Sequence, residues 1–157
     1  MTWRHLGKPI ATAEMNTAQV YQRVKVPPIR NQVLRGATVG LIIYNNPAFT
    51  SLHLDLYDDD SGVPGKKIAE SAAILKAALH SLPHAYKVVG FTFADVAVRG
   101  GSYIHFALGA VGYTGDASAH VAWRNAYPDP QFPQGLTLDA AHADNHPLEI
   151  CLITSEL

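Results

Sequence analysis

The chain of 157 residues carries 12 lysines and arginines against 13 aspartates and glutamates, a formal net charge of −1. This balance argues against nucleic acid as a partner, because proteins that bind it electrostatically normally carry a basic surface. Only 16% of the residues are charged and 48% are apolar. So few charges favour oligomerisation or docking on another protein. The alternative is an alanine-rich surface that has no partner.

Residues 1–16 show no hydrophobic period and contain a glycine and a proline. They predict an extended N-terminal arm in front of a single domain at 17–157, a length that can bury a core. Trp3, Arg4 and His5 are the arm residues predicted to bind a partner, such as a neighbouring subunit. A disordered tail is the alternative.

The N-terminal sequence lacks the apolar run and small-residue cleavage site of a signal peptide. No apolar run in the chain reaches the roughly 18 residues of a membrane-spanning helix. We therefore expect synthesis in a cytoplasm without a signal peptide, and no membrane partner.

Several segments have the composition or alternation of strands, and turn residues separate them at roughly ten-residue spacing. Alternation is clearest at 52–57, "LHLDLY". The three leucines face one side of the strand, and the histidine, aspartate and tyrosine face the other. Segment 72–82 is equally compatible with a helix and a strand. The segments read as strands are 17–26, 33–44, 52–57, 87–93, 102–108, 119–124 and 147–154. Together they predict an all-β fold, a single antiparallel β-sandwich or jelly roll of about eight strands.

An aspartate-rich stretch follows the strand at 52–57. Asp58, Asp60 and Gly62 match the start of many calcium loops, but the position that closes an EF-hand loop holds Ala69. A looser calcium site at Asp58 and Asp60, completed by carbonyl oxygens, remains a prediction. The alternative is a turn whose corner lies at Pro64 and the glycine after it.

Other residues suggest metal binding or catalysis only weakly. His142 and His146 have the spacing of zinc ligands on a helix, but the surrounding loop composition favours two solvated histidines. His53 and His105 are predicted on the sides of their strands away from the core. Cys151, the only cysteine, is expected to be a buried, inert thiol. We predict no catalytic residue and no enzyme, because no nucleophile motif or cluster of perturbed carboxylates appears.

Residues 125–146 form a long predicted loop with several prolines, interrupted by a short strand at 136–138. At its start, Trp123, Arg124 and Tyr127 combine aromatic rings with a guanidinium group. Such a set can stack on a sugar and bond its hydroxyl groups. The alternative is that Trp123 fills the core and Tyr127 orders the loop.

Three segments carry a resemblance to a known family: "LHLDLYDDDSGVPGKKIAES", "YKVVGFTFADVAVRGGSYIHFAL" and "HVAWRNAYPDP". The chain over about residues 20–130 resembles a β-sandwich module of bacteriophage virion proteins and bacterial surface proteins. The shared features are Tyr57-Asp58, Gly62 to Gly65, Ile68-Ala69, Phe91 with Phe93, and Gly100-Gly101 with Tyr103. The resemblance implies a sandwich without shared catalytic residues.

Two hypotheses follow. In the first, the chain is a non-enzymatic capsid decoration or head/tail accessory protein. It would be located in the virion, bind major capsid or tail proteins, and form a homo-oligomer. In the second, it is a carbohydrate-binding module for adhesion. No cofactor is expected except calcium, and a metal-dependent hydrolase that uses the histidines is a third, weaker hypothesis.

Overall fold

The structure, a computed structural model, describes residues 3–5, 20–28, 30–79, 86–115, 118–124, 135–137 and 150–156. These residues form strands and one short 3-10 helix at Lys76–Leu79. Within the same ranges no helix has the length and hydropathy needed to cross a membrane. The strands are β1 Trp3–His5, β2 Val20–Lys25, β3 Gln32–Tyr44, β4 Ser51–Asp60, β5 Val63–Glu70, β6 Ile74–Leu75, β7 Tyr86–Val98, β8 Tyr103–Val111, β9 His120–Arg124, β10 Gly135–Thr137 and β11 Ile150–Glu156.

The strands form two antiparallel sheets packed against each other. The first sheet is centred on β3, which pairs with β7 along one side and with β9 and β11 along the other; β1 adds to β9. The second sheet has the order β10-β2-β8-β4-β5, and β6 also pairs with β4. The prediction of an all-β antiparallel sandwich is confirmed.

The core lies between the sheets and follows from alternation along the strands. Leu52, Leu54 and Leu56 of β4 are fully buried, as are Phe106 and Leu108 of β8. The first sheet contributes apolar side chains from β3, β7 and β9 to the same cluster. The alternating leucines of the sequence therefore identified the inner face of β4.

The hairpin between β4 and β5 turns at a different place from the one predicted. Asp60 pairs with Val63, and the two residues between them, Ser61 and Gly62, have φ of 56° and 96°. Two consecutive positive φ values are characteristic of a type I′ hairpin turn. Pro64 lies inside β5, an edge strand among the described strands, where a missing N–H donor is tolerated.

Segment 72–82, which the sequence left open, has both kinds of structure. Ile74 and Leu75 pair with the start of β4, and a 3-10 helix follows at Lys76–Leu79. Residues 80–85 lie outside the described residues.

Candidate functional site

The outer side of the second sheet carries the densest group of ionisable side chains among the described residues. The alternation that sends Leu52, Leu54 and Leu56 into the core turns His53 and Asp55 outward, and the strand register places β2, β8, β4 and β5 side by side. We call this surface the polar face. Its residues are Tyr21, Arg23, His53, Asp55, Tyr57, Asp59, Lys67, Glu70, Tyr103 and His105.

Asp59 is the centre of one network on the polar face. Arg23 Nε donates to Asp59 Oδ1 at 2.8 Å, and His105 Nε2 lies 2.7 Å from the same oxygen. The Gly62 N–H donates to Asp59 Oδ2 at 3.1 Å. Burial alone would raise the pKa of Asp59, but these donors outweigh it and lower that pKa to about 2. Asp59 is therefore an anion at neutral pH.

His105 has no exposed surface, and burial lowers its pKa although Asp59 opposes the change. A neutral imidazole facing an ionised carboxylate must donate, so His105 Nε2 carries the proton. Its Nδ1 then keeps a lone pair, and among the described residues this atom has no hydrogen-bond partner.

A second network is built around Asp55. Lys67 Nζ lies 2.8 Å from Asp55 Oδ1 and 2.5 Å from Glu70 Oε2. His53 Nε2 lies 3.6 Å from Asp55 Oδ2. Burial would raise the pKa of Asp55, which is only 2% exposed, but the contacts with His53 and Lys67 lower it. Burial would likewise lower the pKa of Lys67, but Asp55 and Glu70 raise it.

Aromatic rings occupy the space between these networks. The rings of Tyr21 and Tyr57 meet edge to face with centroids 5.2 Å apart, and burial raises the pKa of both phenols. The Arg23 guanidinium lies 3.7 Å from the Tyr103 ring centroid, a cation–π contact. Because most charges here neutralise one another, the face offers nitrogen and oxygen ligands rather than a strongly charged patch.

A cleft of about 360 Å³ opens beside the polar face, at the end of the sandwich where β7 leads into β8. Asp58, Asp59, Arg99, Ser102 and Tyr103 line it together with apolar residues. Its volume is in the range of small-molecule sites, and it combines an aromatic ring with carboxylate and hydroxyl groups.

Asp58 and Asp60, the predicted calcium ligands, are exposed at the end of β4. Asp58 Oδ1 accepts a hydrogen bond from the Lys66 N–H, and Ser61 Oγ lies 3.5 Å from Asp60 Oδ1. These contacts support the hairpin, so both aspartates have a structural role. Calcium binding by the pair stays a prediction.

Of the three residues of the predicted sugar platform, Trp123 is the one whose side-chain burial the structure describes. Trp123 is fully buried in the core cluster, and a ring without exposed surface cannot stack on a sugar. Its burial agrees with the alternative interpretation that Trp123 fills the core, and sugar binding by the other two residues stays a prediction. The backbone of Arg124 lies at the end of β9, where it pairs with Trp3, and Tyr127 is outside the described residues.

Residues Trp3, Arg4 and His5 of the predicted arm pair with β9 of their own chain, opposite Arg124, Trp123 and Ala122. Binding of a partner by these residues stays a prediction. The remainder of 1–16 lies outside the described residues, as do His142, His146 and most of loop 125–146. Within that loop, β10 at Gly135–Thr137 lies close to the predicted short strand and pairs with β2.

The outer side of the first sheet is a surface that the sequence interpretation missed. We call it the flat face. Two of its rows run across β7, β3 and β11, namely Thr92, Gly36 and Ile153, and Gly90, Thr38 and Cys151; a third row, Val88 and Gly40, crosses β7 and β3. None of these residues is charged. Cys151 was expected to be buried, but it is exposed because its position in β11 points away from the core.

Comparisons with known proteins give no match, whether by family model, by sequence or by solved structure.

Proposed function

We propose that the chain is a non-enzymatic structural subunit of a bacteriophage particle, a capsid decoration or head/tail accessory protein. It docks on the virion through the flat face and acts as a homo-oligomer. The single observation that carries this proposal is the flat face itself, where neighbouring positions on three strands carry no charge and expose Val88 and Ile153.

The composition of the flat face suits contact with protein. Val88 is 60% exposed and Ile153 is 49% exposed, although the solvent side of an antiparallel sheet is normally polar. Gly90 is exposed, and the atom nearest to a Cβ added there, a Thr38 methyl, is 4.0 Å away, so a partner can approach the backbone closely at this position. An uncharged surface also carries little desolvation cost when it is covered.

Binding of this kind needs no catalytic group. A protein that binds only the assembled particle stabilises it by mass action. The resemblance of the strand and turn motifs to virion modules supports the same assignment, and the low overall charge agrees with a surface that is covered in the assembly.

Co-sedimentation with tailed-phage capsids stripped of accessory proteins tests the proposal. We expect the wild-type chain to pellet with capsids and Val88→Glu to remain in the supernatant, because the carboxylate would be buried in the contact. Val63→Glu is the matched control, since Val63 is 49% exposed at the β4–β5 hairpin, outside the flat face. Equal loss with both variants, or no pelleting of wild type, would refute docking through this face.

A second candidate function is carbohydrate binding, and the cleft at Asp58, Arg99, Ser102 and Tyr103 favours it. In this cleft a sugar would stack on the Tyr103 ring rather than on the buried Trp123. On a glycan array we expect Tyr103→Ala to lose any specific signal while Val88→Glu retains it. A signal unaffected by Tyr103→Ala would exclude the cleft.

A further inference from the structure

The second network of the polar face brings one imidazole and two carboxylate groups together. His53 and Asp55 are two residues apart on the outer side of β4, and Glu70 pairs with Asp55 across the β4–β5 ladder. One ligand atom from each of these residues lies within 4.8 Å of the other two. From this cluster we propose that His53, Asp55 and Glu70 bind a divalent transition metal such as Zn²⁺, and that the Lys67 ammonium competes for the same position.

The imidazole of His53 is held in place without a strong partner. His53 is 8% exposed, and its Nε2 lies 3.6 Å from Asp55 Oδ2. This separation is longer than a hydrogen bond. Gly109 stands opposite His53 on β8, and a Cβ there would overlap the imidazole. The glycine thus leaves the space in which a buried, weakly bonded ring lies beside two carboxylates.

Lys67 shows that a cation is stable at this place. Its ammonium group bridges Asp55 Oδ1 and Glu70 Oε2, two of the three proposed metal ligands. The Lys67 side chain is 41% exposed and lies on the edge strand β5. It can therefore rotate into solvent without disturbing the core.

The donor set fits a borderline metal better than calcium. One neutral imidazole and two carboxylates supply a nitrogen and several oxygens with a total charge of −2, which balances a divalent ion. Calcium instead prefers six to eight oxygen ligands. Solvent on the Glu70 side, which is half exposed, would complete a tetrahedral site.

Titration calorimetry of the metal-free full-length chain with ZnCl₂ tests the proposal. We expect one Zn²⁺ to bind, His53→Ala to abolish that binding, and Lys67→Met to strengthen it roughly tenfold because the competing cation is gone. Lys66→Met is the matched control, since Lys66 is an exposed neighbour outside the cluster. Far-UV circular dichroism checks that each variant keeps the sandwich.

The measurement is repeated in a background that lacks the other candidate zinc ligands, Cys151→Ser with His142→Ala and His146→Ala. Retained stoichiometry in this background supports the site at His53. Loss of binding there, no binding by the wild-type chain, or equal affinity of Lys67→Met and wild type would overturn the proposal. The same titration with CaCl₂ should give no heat that depends on His53, and a calcium signal lost in His53→Ala would also contradict the donor argument.

Discussion

Asp59 shows how one side chain connects the turn, the sheet and the titration behaviour of the fold. It accepts from Arg23 on β2, from His105 on β8 and from the Gly62 N–H in the hairpin turn. A single carboxylate thus ties three parts of the second sheet together. Charge-assisted bonds of this kind are stronger than neutral ones, but this carboxylate stays 17% exposed, which limits their contribution.

The pKa of Asp59 gives a pH dependence with a definite sign. The pKa is about 2 in the folded chain against an ordinary value of 3.8, so the unfolded chain binds this proton first. The stabilisation is complete above about pH 4 and is lost as the pH falls towards about 2. We expect Asp59→Asn to remove on the order of 1 kcal/mol of this pH-dependent stability.

Urea unfolding of wild type and Asp59→Asn at several acid pH values measures this contribution. The difference between the two free energies of unfolding should shrink from about pH 4 to about pH 2. Asp95→Asn serves as a control, because Asp95 is 65% exposed and its contact with Arg35 is 3.5 Å long. A difference that stays constant over this range would contradict an ionised Asp59 in the folded chain.

Trp123 illustrates what residue type alone leaves undetermined. A tryptophan that precedes an arginine and a loop is compatible with two roles. It can stack on a sugar, or it can fill the core. The strand pairing decides between them, because Trp123 faces Leu41 and Arg4 across the ladders and its side of β9 looks into the sandwich. That pairing joins residues far apart in the chain and leaves no local signal.

At the scale of elements, the β4–β5 hairpin is specified by Ser61 and Gly62 rather than by the Pro-Gly pair that follows. Both turn residues have positive φ, which is accessible to glycine but strained for most other residues. The Pro-Gly pair suggested a corner, but an edge strand tolerates both residues. Because the turn was predicted at Pro64 and the glycine after it, most of β5 was not predicted as a strand.

We expect Gly62→Ala to destabilise the chain by about 1–2 kcal/mol, because alanine is strained at φ 96°. Gly62→Asn should cost less, since asparagine tolerates the left-handed region better. Thermal unfolding of both variants beside wild type gives the comparison. Gly90→Ala is the control, because Gly90 has no positive φ and its nearest neighbour to an added Cβ, a Thr38 methyl, is 4.0 Å away. Equal stability of Gly62→Ala and wild type would rule out this turn.

Alternation allowed the core-facing sides of β4 and β8 to be predicted, since Leu52, Leu54, Phe106 and Leu108 all point inward. The same alternation predicted that His53 and His105 face outward, but it did not reveal that both are buried there. Their burial depends on which strands become neighbours. The two networks on the polar face depend on the register of β2, β8, β4 and β5. This register cannot be inferred from a single sequence.

At the scale of the whole molecule, the two outer faces of the sandwich differ in chemistry. The polar face pairs its charges and holds the proposed metal ligands, whereas the flat face is uncharged and exposes Val88 and Ile153. This division allows the flat face to contact protein while the polar face keeps its largely buried network of charges intact. The low proportion of charged residues in the chain favoured an apolar contact surface but gave no indication of which side of the sandwich would carry it.

Hydrogen–deuterium exchange of the chain, free and bound to stripped tailed-phage capsids, tests the docking claim most directly. Among the described strands, β7 and β11 carry the exposed Val88 and Ile153 of the flat face, so slower exchange of their amides reports on contact there. We expect capsids to slow exchange in peptides covering Val88–Thr92 and 150–156, and to leave the β4–β5 hairpin unchanged. Protection confined to that hairpin or to the cleft, or no protection anywhere, would contradict docking through the flat face.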